Sequence, residues 1–240
     1  MSLLNKKVPC TYCEDDATTK DDVPPKSLFA KPRIGLIKVP ACRACNQGAS
    51  LDDEYFRLAL IADEHAAEHP VAQTMRATVR RSLQRPSARG LRTAFQSAMR
   101  RVEVHTPAGL YIGTAEQLLI NRQRLIRVIE RTTRGLFLHH VKRRLPLSCE
   151  VNAFASRGMS HEQADVVLDC IRSMPASQIH SIGNDAFSYR FAVANDQINS
   201  SFWVFVVYGA FSFAAFTVDR GEEVGASAVN ANQHCITRVS

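Results

Sequence analysis

Two pairs of closely spaced cysteines are the strongest chemical signal in the sequence. Cys10-Thr-Tyr-Cys13 and Cys42-Arg-Ala-Cys45 each hold two thiols within a short turn, with a longer loop between the pairs. Each pair can grip one side of a tetrahedral ion, and four thiolates complete a closed Zn²⁺ site. The alternative is a pair of disulfides, but the opening residues are too polar for a secretory signal. We therefore predict a structural zinc site.

The residues around these pairs follow a recognisable order. Asp21-Asp-Val-Pro-Pro-Lys26 lies between the pairs, Ala41 directly precedes the second pair and Asn46 directly follows it. This stretch resembles the HNH, or ββα-metal, endonucleases of the zinc-knuckle subtype. That family shows Cys-x-x-Cys, Asp-His-Val-x-Pro-Lys, a central Asn and Ala-Cys-x-x-Cys-Asn. Asp22 stands where the family has its His, and the central Asn aligns near Gly35.

The resemblance implies a division of roles. The four cysteines would hold structural zinc, while Asp21 and Asn46 would present oxygens to a catalytic Mg²⁺ or Mn²⁺. Asp22 would occupy the position of the general base that activates water. A carboxylate with a pKa of about 4 is a much weaker base than an imidazole, so we expect slow or absent hydrolysis. The open alternative is that His65 or His69 reaches the site and replaces the missing base.

The charge balance favours a polyanionic partner such as DNA. The 240 residues include 30 Lys and Arg against 23 Asp and Glu, a formal net charge of +7. Lys26 and Arg43, close to the motif, are the residues that we predict to contact phosphates. Arginines also cluster over residues 76–101 and 122–144, where they could follow a phosphate backbone. The alternative is a solvated face whose aliphatic stems cover apolar surface.

Two further features bear on the surroundings of the protein. No apolar run approaches the roughly 20 residues that span a bilayer, so we expect no membrane association. The odd count of seven cysteines predicts a reducing, cytoplasmic environment. The sequence leaves a protein partner or a homo-oligomer open.

Hydrophobic periodicity predicts an α+β protein of two domains. Residues 1–69 are predicted to form the zinc-stapled ββα-metal module, a hairpin followed by a helix that runs from near Leu51 to about His69. Residues 70–240 are predicted to form a mixed helical domain with an antiparallel sheet. Its predicted elements are helices after Pro70 and over 91–101, a hairpin over 102–112, a long helix from about Ala115 or Asn121 to Arg144, a helix after 160 and strands over 148–154, 186–194, 200–208 and 210–218. The stretch 219–240 lacks periodicity.

These observations lead to a functional hypothesis with two alternatives. We expect a metal-dependent HNH-type DNA endonuclease that hydrolyses phosphodiester bonds, slowed or inactivated by Asp22. A setting in bacterial defence or mobile-element biology follows from family habit alone. The first alternative is a non-catalytic, zinc-stabilised nucleic-acid-binding module. A zinc-stabilised interaction protein without a nucleic-acid role is disfavoured by the net charge.

Overall fold

The N-terminal region contains a short hairpin followed by two helices. The computed structural model describes residues 7–174, 178–194 and 197–219. Strands β1 (Thr19–Val23) and β2 (Ile37–Ala41) pair antiparallel, and we call them the N-terminal hairpin. Helices α1 (Arg43–Gly48) and α2 (Ser50–Ala62) follow directly. The order of the hairpin and the first helix is the one that the sequence predicts.

The middle of the chain contains three helices and a second hairpin. Helices α3 (Pro70–Leu83) and α4 (Arg89–Ala98) lead into β3 (Met99–His105) and β4 (Tyr111–Leu118), which we call the central hairpin. The long helix α5 (Arg122–Val141) follows. Pro70 occupies the first turn of α3, and the Asn121 side chain caps α5 by accepting a hydrogen bond from the Arg124 N–H.

A five-stranded antiparallel sheet makes up the C-terminal part, in the order β5-β9-β8-β7-β6. Its strands and the helix α6 have these bounds: β5 Cys149–Ala155, α6 His161–Ser173, β6 His180–Ile182, β7 Phe187–Val193, β8 Ser201–Val207 and β9 Phe211–Asp219. The central strand β8 is covered on both faces. Trp203 and Phe205 lie in the main core, whereas Phe202 packs with Cys170 of α6 on the opposite face. This explains the continuous apolar run of β8.

One hydrophobic cluster crosses the predicted boundary between residues 69 and 70. It contains Val23 and Phe56 from the N-terminal region together with Ile129 of α5 and Trp203 of the sheet. The Tyr208 hydroxyl also donates a hydrogen bond to the Leu28 carbonyl over 2.8 Å. The N-terminal region therefore shares its core with the rest of the described chain.

The mixed α+β class with antiparallel sheets is confirmed, with local corrections. The helix that we predicted to reach His69 ends at Ala62, and a 3-10 turn, His65–Glu68, follows it. His69 instead caps α3, because its ring accepts a hydrogen bond from the Val71 N–H. The short strand β6 was not predicted, since three residues carry too little periodicity to detect. The predicted aperiodic tail, from 220 on, lies outside the described residues.

Within the described ranges, no helix is both long and apolar enough to cross a lipid bilayer.

Candidate metal centre

Four cysteine sulfurs converge at the base of the N-terminal hairpin. Cys10 and Cys13 lie in the loop before β1, Cys42 caps α1, and Cys45 lies in the first turn of that helix. Their sulfur atoms all lie within 4.8 Å of one another. They form the group of three or more potential metal ligands found among the described residues, and they are free thiols rather than disulfides. The predicted four-cysteine cluster is confirmed as a group able to bind a metal ion.

The arrangement fits a tetrahedral zinc ion. Zinc–sulfur bonds of about 2.3 Å place neighbouring sulfurs of a tetrahedron roughly 3.8 Å apart, and the Cys13 and Cys42 sulfurs are 3.6 Å apart. Backbone N–H groups point at two of the sulfurs, from Tyr12 to Cys10 at 3.4 Å and from Cys45 to Cys42 at 3.3 Å. These donors favour thiolates, which are the metal-binding form.

The thiols need a cation to ionise together. Burial raises the pKa of the Cys45 thiol, and the neighbouring Cys13 and Cys42 thiols act in the same direction. Four thiolates this close would repel one another, and a bound Zn²⁺ would remove that cost. With four sulfur ligands the ion has no open position, so its contribution is structural: it would join the loop before β1 to helix α1.

The first cysteine pair is also tied to the far end of α5. Arg144, just beyond that helix, donates hydrogen bonds to the Cys10 and Cys13 carbonyls, both over 3.1 Å. The Thr11 N–H donates to the Pro40 carbonyl of β2 over 3.0 Å. The loop that carries two of the four sulfurs is therefore positioned by a strand and a helix from distant parts of the sequence.

Asp21, a predicted cation ligand, is buried in an ion pair. The Tyr12 hydroxyl donates to its Oδ2 over 2.7 Å, and Arg131 Nη2 of α5 lies 2.7 Å from the same oxygen. The Arg131 guanidinium also stacks over the Tyr12 ring at 4.8 Å. Burial raises the pKa of the Asp21 carboxyl, while Arg131 and Tyr12 oppose that shift. Asp21 as it stands is thus neutralised by a protein cation.

A second carboxylate, which the sequence did not suggest, faces the same arginine. Asp53 of α2 has its Oδ2 3.7 Å from Arg131 Nη1, and its buried Oδ1 accepts no hydrogen bond from the part of the chain that the structure describes. Burial, together with the nearby charges of Asp21 and Asp52, raises the pKa of Asp53 to about 6. A cavity of about 10 Å³, close to the volume that one water molecule needs, is lined by Tyr12, Asp21, Asp53 and Arg131 among others.

Asp22, the predicted general base, also lines this cavity, and its carboxylate is close to two lysines. Successive strand residues point to opposite faces, and Asp21 is buried whereas Asp22 is half-buried. The Asp22 carboxylate lies 3.5 Å from Lys26 Nζ and 3.9 Å from Lys38 Nζ. The position that would hold the family's imidazole therefore carries a carboxylate paired with two lysines.

Asn46, the other predicted cation ligand, ties α1 to β1. Its side-chain nitrogen donates to the Thr19 hydroxyl and the Lys20 carbonyl, both over 3.1 Å. Within the described ranges, Asp21 is not part of a group of three or more His, Cys, Asp or Glu side chains close enough to hold one ion. The predicted Mg²⁺ or Mn²⁺ site therefore remains a prediction.

The predicted basic residues divide into two kinds. Lys26 and Arg43 are exposed. The arginines in α3, at the start of α4 and between the two helices are exposed as well: Arg76, Arg80, Arg81, Arg85 and Arg89. Several arginines of the second cluster instead make internal contacts. Arg124 and Arg127 pair with Asp52 of α2 at 2.6 and 2.7 Å, and Arg134 donates to the Pro146 carbonyl over 3.2 Å. These side chains are therefore engaged with other parts of the protein, which neither the phosphate contacts nor the solvated face anticipated.

His65, weighed as a replacement base, belongs to another part of the surface. Its ring Nδ1 lies 2.9 Å from Asp63 Oδ1, and Arg157 pairs with the same carboxylate at 2.6 Å. His69 is used as the cap of α3. Neither histidine lines the cavity beside Asp21.

Sequence reasoning missed three residues of this region: Tyr12, Asp53 and Arg131. Tyr12 lies inside the first cysteine pair, and the spacing of Asp53 from Ser50 indicates only a helix start, so the sequence marked neither residue as part of this region. Arg131 was one of many arginines on a predicted helix. Two of its partners, Tyr12 and Asp21, lie more than a hundred positions earlier in the sequence. Only the packing of α5 on the N-terminal hairpin brings them together with Arg131.

Comparison with known proteins adds no relative. No protein-family model matches the chain, and neither the curated proteins nor the solved structures searched contain a match.

Proposed function

We propose that the chain is a zinc-stabilised, HNH-type DNA-binding protein with slow or absent phosphodiester hydrolysis. The observation that carries the proposal is the state of the two adjacent aspartates. Asp21 is paired with Arg131 and Tyr12, and Asp22 is paired with Lys26 and Lys38. The four-cysteine cluster supports the metal-binding part of the proposal, while the two carboxylates to which the resemblance gives catalytic roles are engaged within the protein.

Hydrolysis by the mechanism of the HNH family would require both aspartates to leave their present ion pairs. A divalent cation at Asp21 would have to compete with the buried Arg131 guanidinium for the same Oδ2 atom. Removing one member of a buried ion pair is costly, so this exchange is unfavourable. Asp22 would have to take a proton from water while its carboxylate is engaged by the ammonium groups of Lys26 and Lys38.

DNA binding is supported by exposed cations around the same region. Lys20, Lys26, Lys38 and Arg43 are exposed on or beside the N-terminal hairpin and α1. The exposed arginines along α3 and α4 extend this basic character. Phosphate contacts of this kind give affinity without sequence information, and binding then falls steeply with salt.

A second candidate function, an active endonuclease, is favoured by one specific observation. The pKa of Asp53 is raised to about 6, and its side chain faces a cavity with room for about one water molecule. A base whose pKa lies near the working pH is well suited to proton transfer. In this version Asp53 would substitute for the imidazole that Asp22 replaces.

Two measurements separate these functions. Anisotropy titrations of a labelled duplex at several salt concentrations should give a negative log–log slope, and Arg43→Gln should reduce that slope by about one unit per lost phosphate contact. Arg172→Gln, on the exposed surface of α6, is the matched control and should leave the slope unchanged. A flat salt dependence would instead support an interaction protein without a nucleic-acid role.

Nicking of supercoiled plasmid with Mg²⁺ or Mn²⁺ tests the chemistry. The native chain should be slow, and Asp22→His should raise the rate by roughly 10²- to 10⁴-fold if the base alone is missing. If the native chain already cuts fast and Asp53→Asn abolishes cutting, the second candidate is correct. Asp165→Asn, a change of the same kind at an exposed aspartate of α6, is the control for Asp53→Asn.

A further inference from the structure

The central hairpin presents its apolar residues to solvent. Its exposed large side chains include Met99 at 41%, Leu110 at 68%, Tyr111 at 54% and Ile112 at 61% of their full accessibility. No residue of β3 or β4 is buried. A two-stranded ribbon of this kind is marginally stable in water by itself. The hairpin therefore has an apolar surface without a partner inside the described chain.

Both outer edges of the hairpin are also available for pairing. Within the described ranges, β3 and β4 form a separate two-stranded sheet, so each strand has one edge with no neighbouring strand. Unpaired edge groups can be satisfied when another strand adds to the sheet. A strand of another molecule could therefore pair with the edge of β3 or with the edge of β4.

The charges of β3 complement themselves in one antiparallel register. When two copies of β3 pair about a two-fold axis at Val102, Arg101 of each copy lies opposite Glu103 of the other. Shifting the axis by one residue either way places Arg101 opposite Arg101 or Glu103 opposite Glu103. Opposite charges across a sheet stabilise pairing and like charges oppose it, so the Val102 register is preferred.

The β4 edge lacks this property. Its one charged residue is Glu116, which a two-fold axis at Ala115 places opposite Thr114 and an axis at Glu116 places opposite itself. The β3 register also joins the two apolar ends of the hairpin. Met99 of one copy comes opposite His105 of the other, whose ring lies 5.5 Å from that of Tyr111. A methionine beside aromatic rings is a favourable contact.

We propose that the chain forms a symmetric dimer in which β3 pairs antiparallel with β3 of a second copy, centred on Val102. The two central hairpins then make one four-stranded sheet. A two-fold interface uses the same surface on both copies, which is why self-complementary charges are needed. This inference does not rest on the proposed function, and its tests are performed without DNA.

Charge exchange tests the interface by sedimentation equilibrium at several protein concentrations. The native chain should be dimeric, and Glu103→Arg should raise the dimer dissociation constant about tenfold or more, because it opposes Arg101 across the axis. The triple variant Arg101→Glu, Glu103→Arg and Glu116→Arg should restore the dimer, since the charges across the axis are exchanged and Glu116, which lies opposite Arg101 within the hairpin, is exchanged with them. Glu68→Arg, an exposed change of the same charge outside the hairpin, should leave the dimer intact.

Each result decides the proposal. A native chain that stays monomeric throughout, or a dimer that Glu103→Arg does not weaken, overturns it. A dimer that is lost in Glu103→Arg and does not return in the triple variant overturns the Val102 register. If Glu103→Arg does not fold, hydrogen exchange of the native chain supplies the answer. Amides of β3 should gain protection as concentration rises and those of β4 should not, and equal protection at all concentrations contradicts the dimer.

Discussion

The two hairpins of the molecule have the same topology and opposite surroundings. The N-terminal hairpin has strands of 5 residues each, yet Val23, Val39 and Ala41 are buried in it. The central hairpin has strands of 7 and 8 residues, and none of them is buried. The difference shows that strand length does not determine how well a two-stranded ribbon is buried in this protein. Contacts with other elements, which we call cross-links, determine it.

Three such cross-links hold the N-terminal hairpin. The four cysteines join it to α1, the Asp21–Arg131 pair joins it to α5, and Val23 packs directly on Gly135 of that helix. The central hairpin has no counterpart to any of these within the described chain, which is why we assign its stabilisation to a second copy. Breaking the cross-links one at a time tests this comparison.

Loss of the metal should have the largest effect. Chelation, or Cys42→Ser, should unfold the N-terminal hairpin, because metal binding supplies roughly 10–16 kcal/mol in small zinc domains. Hydrogen exchange should show loss of protection in β1 and β2 but no change in β3 and β4. Elemental analysis should find one zinc per native chain. Cys149→Ala, a buried cysteine outside the cluster, should keep the metal. Full protection of β1 after metal removal would contradict the structural role of the site.

Removal of the Arg131 charge should have the second-largest effect on stability. Arg131→Met leaves the Asp21 carboxylate buried without its cation, which should cost about 3–5 kcal/mol of unfolding free energy. The side chains are 16% and 9% exposed, so solvent screens this pair little. Denaturant unfolding measures the effect. Arg127→Met, an exposed arginine of the same helix, should cost less than about 1 kcal/mol. Equal costs for the two variants would mean that the buried pair does not hold the hairpin.

Overpacking the contact between α5 and β1 should have the third-largest effect on stability. A Cβ atom at Gly135 would lie 2.6 Å from Val23 Cγ2, so Gly135→Ala should push the helix from the strand at a cost of about 1–3 kcal/mol. Gly90→Ala in α4 is the control, because a Cβ there meets no atom within 4 Å. Alanine also favours the helix, so the control should be neutral or stabilising in thermal unfolding. A stabilised Gly135→Ala variant would show that α5 can move away freely.

The smallest effect should come from the central hairpin. Val104→Ala should change the unfolding free energy of the monomer by less than about 0.5 kcal/mol, since no core contact is lost. The same substitution in β2, Val39→Ala, should cost about 2 kcal/mol because Val39 is 2% exposed. Both values are obtained from urea unfolding at a concentration below dimer formation. Similar costs at the two positions would contradict the contrast between the hairpins.

The sequence by itself determined the local features. The spacing of the four cysteines predicted the metal-binding cluster, because ligands within each pair are set by the backbone between them. The Thr106–Gly109 turn, the cap at Asn121 and the capping box at Ser160 also follow from neighbours within a few positions. By contrast, Ser50 and Asp53 have the spacing of a capping box, yet the Ser50 hydroxyl donates to the Gln47 carbonyl instead of capping α2.

The tertiary structure alone decided what the charged residues do. Asp21 and Asp22 are adjacent in sequence, yet one is buried against Arg131 and the other pairs with surface lysines. Arg131 resembles Arg127 in sequence, and only the packing of α5 separates a buried ion pair from an exposed one. The raised pKa of Asp53 likewise depends on burial and on carboxylates from β1 and α2. These properties arise from contacts between distant segments, which residue type and spacing do not encode.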